Sequence, residues 1–472
     1  TGMSSNTSSG LIRSLGLGYV IVFIVANIIG SGVYKKVAPM ADQLHSSGWV
    51  LMAWVLGGVI TMFGALSNAE VAGMLADTGG EYAYFKKIYN RFVSFMFGWA
   101  NLSVIQTAAI SSLAYVFAQS FRSVVDLPEV LPQLATWSIG GVFYPFADLS
   151  TKLVAVLLIL ILSVINTQSI KSVADLSKII LWLVYIGLAT IVIAGLTSGS
   201  SHIAMSFDFT TPPNHPVTVS ALFTALLAAF WAYQGWSSIG FIGGEIKDPN
   251  KNIPKGIAFG TLLIIGIYFI VNMTYMSILS IDQLQAIHAA GNQVAAIEVI
   301  KVIWGSGGVL FISILILLTT LGCTHATMYG SARTYFAMAR EGMFFRFMGK
   351  LNAAHVPANV IWIQCLWACI LVFSGSFDQL TDMVIFAIFI FYGATAVGVF
   401  ILRKKMPDAH RPYKVWGYPV VPAIFIIFCI GLLINTFVTQ PREAIFGLLL
   451  MATGVPLYLW FRQRAESIGQ RA

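Results

Sequence analysis

Asn27-Ile28-Ile29-Gly30-Ser31-Gly32-Val33 lies about two-thirds of the way along residues 15–42, an apolar stretch long enough to cross a bilayer. Two glycines flanking a serine weaken the helix such a stretch must form, because a glycine costs roughly 1 kcal/mol relative to alanine. If the backbone unwinds here, its amides and carbonyls lose their helical partners and must face protein, water or a ligand. Freed amides at the positive end of a half-helix suit a carboxylate, and freed carbonyls suit an ammonium. Taken alone, the glycines fit close helix packing equally well. The second interruption favours the unwound reading. Phe230-Trp231-Ala232-Tyr233-Gln234-Gly235-Trp236-Ser237-Ser238 also sits mid-span and is glycine-interrupted, five helices after the first. Paired interruptions at matching places in two halves point to a transporter site built from repeats. An odd helix count between them makes the two halves run in opposite senses. An aromatic belt belongs at headgroup depth, whereas Trp231 falls near mid-span, so ligand contact is expected of it.

The rest of the chain supports a membrane protein. Of 472 residues, 57% are hydrophobic and 10% charged, with a mean hydropathy of +0.81, against about 25% charged in a soluble domain. This excludes a soluble enzyme. A window of about 19 residues predicts twelve helices over 15–42, 49–76, 91–120, 152–170, 174–198, 217–246, 254–279, 297–338, 357–375, 380–403, 418–438 and 443–463. With the N-terminus inside, 21 of the 27 Lys and Arg fall on the inner side, which predicts cytoplasmic termini. The net charge of +8 therefore needs no nucleic-acid partner. Residues 1–14 are expected as a cytoplasmic tail without a cleavable-signal pattern. The loops near 121–151 and 280–296 leave room only for short surface helices.

The sequence has no phosphate-binding loop, HExxH or dinucleotide context. Catalytic residues, metal and cofactor are therefore expected to be none. The four cysteines, Cys323, Cys365, Cys369 and Cys429, all lie in apolar stretches and suggest no disulfide framework. A polytopic membrane enzyme or sensor would need a His, Asp or Glu cluster at one depth or an appended domain, and the sequence offers neither.

Several motifs resemble those of the amino acid–polyamine–organocation superfamily, in its L-type amino-acid transporter branch. They are Ile29-Gly30-Ser31-Gly32-Val33-Tyr34, then Asn68-Ala69-Glu70, then Gly79-Gly80-Glu81-Tyr82-Ala83-Tyr84. Further along come Trp231-Ala232-Tyr233-Gln234-Gly235-Trp236, Gly244-Glu245-Ile246-Lys247-Asp248-Pro249 and Asn252-Ile253-Pro254. Ser331-Ala332-Arg333 and Ala339-Arg340-Glu341-Gly342 close the series. The resemblance implies an all-α polytopic fold: a 5+5 inverted-repeat core over 15–403 with helices one and six broken, and two C-terminal helices with a tail over 404–472. It implies that Ser31 and Gly32 meet the substrate carboxylate, with Gly30 among the substrate-binding residues. Carbonyls of Ile28, Trp231, Ala232 and Gln234 would take the ammonium, with Trp231 as the gate. Relatives commonly carry glycine or aspartate where this chain has Gln234, and phenylalanine where it has Trp231.

Lys178 lies near the inner third of helix five, within reach of snorkelling to the interface or of Asp175. The resemblance gives it another role, a built-in cation that tethers helix five to the break near Gly30 and to Thr327 on helix eight, with Cys323 as the weaker candidate. Sodium independence would follow. Glu70 and Glu81 are expected in an ion-pair network with Lys86, Lys87 and Arg91, and His325 in packing. Lys35 and Lys36 are expected to line the outer vestibule and attract anions. The function expected is sodium-independent transport of neutral L-amino acids, by exchange or by proton symport, in a bacterial inner membrane. The alternative is a carrier of cationic amino acids or polyamines, which needs an acid beside a break. None of the 19 acids lies there in the sequence. The 121–151 loop lacks the cysteine through which eukaryotic relatives bind a single-span partner, so no disulfide-linked partner is expected.

Overall fold

The computed structural model describes residues 15–75, 80–168, 173–238, 246–291 and 293–469. The expected tail at 1–14 lies outside them. In chain order the helices are α1 (Leu17–Ile28), α2 (Gly32–Lys35), α3 (Val37–Leu44), α4 (Ser47–Met74), α5 (Gly80–Ile88) and α6 (Arg91–Ala100). Then follow α7 (Gln106–Arg122), α8 (Leu149–Asn166), α9 (Val173–Thr197), α10 (Val219–Tyr233), α11 (Pro249–Ile278) and α12 (Ile281–Ala290). The last six are α13 (Ala295–Arg340), α14 (Ala358–Val372), α15 (Phe377–Lys405), α16 (Val420–Thr439), α17 (Pro441–Ala452) and α18 (Gly454–Gly469). Among the described residues the only β pairing is two isolated bridges.

Among the described residues, eight helical stretches are long and apolar enough to cross a membrane: α4, α6 with α7, α8, α11, α13, α15, α16, and α17 with part of α18. Shorter apolar helices are α1, the Trp182–Thr197 part of α9, α10 and α14. Helix thus occurs in each of the twelve expected stretches, and the described residues form an all-helical fold. The sixth stretch stops being α-helical at Tyr233, where a break was expected. Two features depart from the sequence reading. The eighth, 46 residues in α13, is interrupted at Gly305 (φ 62°, ψ −148°). At 1.5 Å per residue an unbroken α13 would run to roughly twice the hydrocarbon thickness. The other departure, α5, lies between expected spans where no helix was read.

Local chemistry sets the helix starts. Side chains of Ser46, Asn90 and Thr218 accept from the backbone amides of Trp49, Val93 and Ala221. Ser280 with Gln283, and Ser376 with Gln379, form complete capping boxes at α12 and α15. Between α6 and α7 a π-helical turn, Asn101–Ile105, lets the Thr107 hydroxyl donate to the Leu102 carbonyl at 2.7 Å. Helix α7 is the central post, packing against α8, α13, α14 and α15. Small residues permit that approach, and the Ser111 hydroxyl reaches the Ala368 carbonyl of α14 at 2.8 Å. Around it, α1 and α4 pack on α11, and α3 packs on α10 and α12. The two glycine-interrupted segments therefore meet in the interior.

Candidate functional site

Helix α1 ends where Ile29 turns extended (ψ 111°), and α2 starts at Gly32. Helix α10 ends where Gln234 turns extended (ψ 142°), followed by Gly235 at φ 121°. The two breaks interlock. A Cβ on Gly235 would sit 2.1 Å from the Asn27 carbonyl oxygen, and one on Gly32 would sit 2.5 Å from Ala232 Cα. Glycine is thus required twice, for close approach at both positions and for a positive φ at Gly235.

The expected site residues assemble as follows. Trp231 Nε1 donates to Ser31 Oγ at 3.1 Å, and the Trp231 ring stands edge-on to Phe377 at 6.1 Å. Tyr268 of α11 was not foreseen. Its hydroxyl lies 2.7 Å from the Ala232 carbonyl and 3.2 Å from that of Ile28, two of the carbonyls expected to bind an ammonium. One hydroxyl hydrogen serves one acceptor at a time, so the pair keeps spare accepting capacity. Gln234 Nε2 donates to the Tyr392 hydroxyl at 2.7 Å, and Trp236 packs on the Tyr392 ring at 4.4 Å. Gly30 faces Cys323, whose sulfur would lie 3.8 Å from an added Cβ. Cys323 is thus the nearer of the two helix-eight candidates to the break for which a contact is seen. The Thr327 hydroxyl donates to the Cys323 carbonyl of its own helix at 2.8 Å. Lys178 belongs to α9, but its side chain lies outside the described residues.

One turn beyond Ser31, Lys35 and Lys36 correct the expectation of an open, anion-attracting vestibule. They are 5% and 0% exposed. Lys36 Nζ donates to Asp378 Oδ1 and Thr381 Oγ1 of α15, each at 2.6 Å, with Asp382 at 3.7 Å. Lys35 Nζ donates to Gln119 Oε1 at 2.6 Å, and Gln119 in turn donates to the Gly291 carbonyl at 2.9 Å. Both ammonium groups lie within 5 Å of the Phe377 ring centroid, at 4.9 and 4.8 Å. A stack of Ser31, Trp231, Phe377 and the two lysines thus closes this end of the site. The sequence missed it because Lys36 and Asp378 are 342 positions apart.

At the opposite end of α4, Glu70 is paired, with different partners from those expected. Arg403 holds it through two bonds of 2.9 and 2.8 Å, Arg411 Nε is 3.4 Å away, and the Val415 amide donates at 2.6 Å. Lys86 pairs with Glu341 at 3.0 Å. Glu81 on α5 keeps one buried oxygen without a partner, and burial pushes its carboxyl up to about 7. His325 is buried, with its Nε2 unpartnered.

A family described as "Amino acid permease" matches residues 15–459. The chain is 29% identical to the serine/threonine exchanger SteT of Bacillus subtilis (strain 168), over 97% of this chain and 99% of that protein. It is 28% identical to the mouse large neutral amino acids transporter small subunit 2, over 97% of this chain and 83% of that protein. It is 25% identical to the human b(0,+)-type amino acid transporter 1, over 96% of this chain and 89% of that protein.

Proposed function

The chain belongs to the amino acid permease family, and from that premise we propose that it carries neutral L-amino acids by sodium-independent exchange, through alternating access. It is a multi-pass membrane protein and a transporter, not an enzyme. In this reading the twelve helical stretches are twelve spans, the first ten form two inverted halves, and both termini are cytoplasmic. The observation that carries it is the interlock of two broken helices, with Gly32 against Ala232, Gly235 against Asn27, and Trp231 bonded to Ser31.

The amides that start at Ser31 and Gly32 would hold the substrate carboxylate. Carbonyls of Ile28, Trp231, Ala232 and Gln234 would take the ammonium, with the Tyr268 hydroxyl as their partner when the site is empty. Trp231 would swing to admit the substrate and close over it. Lys35 beside this site is bonded to a neutral amide, and its ammonium disfavours the alternative substrates, cationic amino acids and polyamines. That two relatives bear exchanger and neutral amino acid transporter names supports the same choice. The site as read needs no cofactor or metal, and no disulfide-linked partner.

The test is uptake of a panel of labelled amino acids into proteoliposomes, with and without internal substrate and sodium. The reading expects uptake of neutral amino acids that internal substrate accelerates and sodium leaves unchanged. Uptake confined to arginine, lysine or polyamines would overturn the substrate class, and uptake that requires sodium would overturn the coupling.

A further inference from the structure

From the last turn of α15 to the start of α16, residues 403–419 form a hairpin that carries five lysines and arginines and one acid, Asp408. Its backbone is pinned from several sides. Arg411 donates to the carbonyls of Leu402, Met406, Pro407 and Ala409 at 2.8 to 3.1 Å. The Val415 amide bonds Glu70 of α4, and the Trp416 amide donates to the Tyr413 hydroxyl at 3.0 Å. The same hairpin holds Trp416 75% exposed, with Tyr418 beside it at 37%. A large ring that a pinned backbone keeps outside the protein calls for apolar matter there.

What lies there follows from α16. Its exposed residues Val420, Ile424, Ile427, Ile434 and Val438 fall at spacings of three, four and seven, which is one face of a helix. From Val420 to Val438 this apolar stripe runs about 27 Å at 1.5 Å per residue, close to the thickness of a hydrocarbon core. In a membrane protein it is a lipid face, and Trp416 and Tyr418 stand just past its end, at headgroup depth, where such rings gather. The charge at this rim is one-sided. Arg403 and Arg411 both contact Glu70, and the Arg403 guanidinium also lies over the Tyr418 ring at 3.7 Å. Lys405 donates to the Ile88 carbonyl at 3.0 Å. Lys404 and Lys414 are exposed and meet no carboxylate among the described residues. Even with Glu70 counted, the hairpin keeps a surplus of three positive charges.

We propose that this hairpin is a docking site for an anionic phospholipid, with the headgroup phosphate paired to Lys404 and Lys414, an acyl chain along the α16 stripe, and Trp416 and Tyr418 at the boundary between the two. The site lies away from the two broken helices and goes beyond the transport reading; it needs only that the chain is embedded in a bilayer. A second copy of the chain is the other apolar occupant such a face could take. Across a two-fold contact the surplus of positive charge would then face itself, whereas an anionic headgroup neutralises it.

The experiment is thermal unfolding of the full chain in a neutral detergent, titrated with phosphatidylglycerol or with phosphatidylcholine of the same acyl chains. Phosphatidylglycerol should raise the melting temperature about twice as far as phosphatidylcholine, or more, and about 0.5 M salt should shrink that excess. Lys404→Gln with Lys414→Gln should lose most of the excess. Lys251→Gln with Lys255→Gln, the same charge change at exposed positions on α11, should keep it. Trp416→Ala should reduce the rise with either lipid, because the ring serves the chain and not the charge. Equal rises with the two lipids in the wild type overturn the proposal. So does an undiminished excess in Lys404→Gln with Lys414→Gln or, should that pair not fold, an unchanged rise in Trp416→Ala. A chain that is dimeric in detergent and becomes monomeric in Trp416→Ala would also overturn it and give the face to a second copy.

Discussion

The Tyr268 hydroxyl, set between two carbonyls from different broken helices, makes a sharp prediction about substrate binding. If the Ile28 and Ala232 carbonyls are where an ammonium binds, the tyrosine is their partner in the empty protein. Tyr268→Phe should then leave them without a donor, at about 1–3 kcal/mol, and lower the melting temperature of the empty protein. Added substrate supplies the missing donor, so the ligand-induced rise in melting temperature should be larger in Tyr268→Phe than in wild type. An equal or smaller rise would place the ammonium elsewhere. Gly32 and Gly235 were legible in the sequence because a glycine inside an apolar run is a local signal. Tyr268 was not, since it is one of 17 tyrosines and its role exists only once α11 packs on α1. The same limit hid the bond between Gln234 and Tyr392.

Helix α5 is short, amphipathic and absent from the sequence reading, yet it carries the Glu81 carboxyl that burial pushes up to about 7. The ordinary value is 4.5, so above it the unfolded chain gives up this proton while the folded chain keeps it. Glu81 therefore favours the folded state at acid pH, and that contribution falls as pH rises from 4.5 to about 7. Glu81→Gln should remove this slope, so that thermal unfolding in detergent gains most above pH 7 and little near pH 4.5. A variant whose unfolding keeps the wild-type pH slope would exclude Glu81 as its source. The break in α13 shows a signal that was present but passed over: Gly305, Gly307 and Gly308 follow Trp304, and window averaging smoothed them into a single span. Helix α15 shows the opposite case. Its Asp378 and Asp382 look like interface residues in sequence, and only the fold brings them to Lys36.

For the molecule as a whole, the positions of the helices were legible because hydropathy acts on each stretch separately, whereas the packing that joins them was not. The helix-five lysine tests how these parts move together. Were Lys178 only snorkelling to the interface, Lys178→Ala should leave turnover near wild type. If it ties α9 to the first break and to α13, the variant should lose most turnover, with substrate affinity altered, and Thr327→Ala should reproduce part of the loss. Proteoliposome turnover and substrate-induced melting shifts separate the two, and wild-type turnover in Lys178→Ala would defeat the tether. A last consequence concerns the bond between Trp231 and Ser31. It joins residues 200 positions apart, and with Tyr268 it pairs groups that the proposed substrate would hold in their place. On the exchange proposal, a carrier whose site groups pair with one another turns around slowly without cargo. That proposal then ties the return journey to a passenger, so that the flux of one amino acid inward would be metered by the pool of another within.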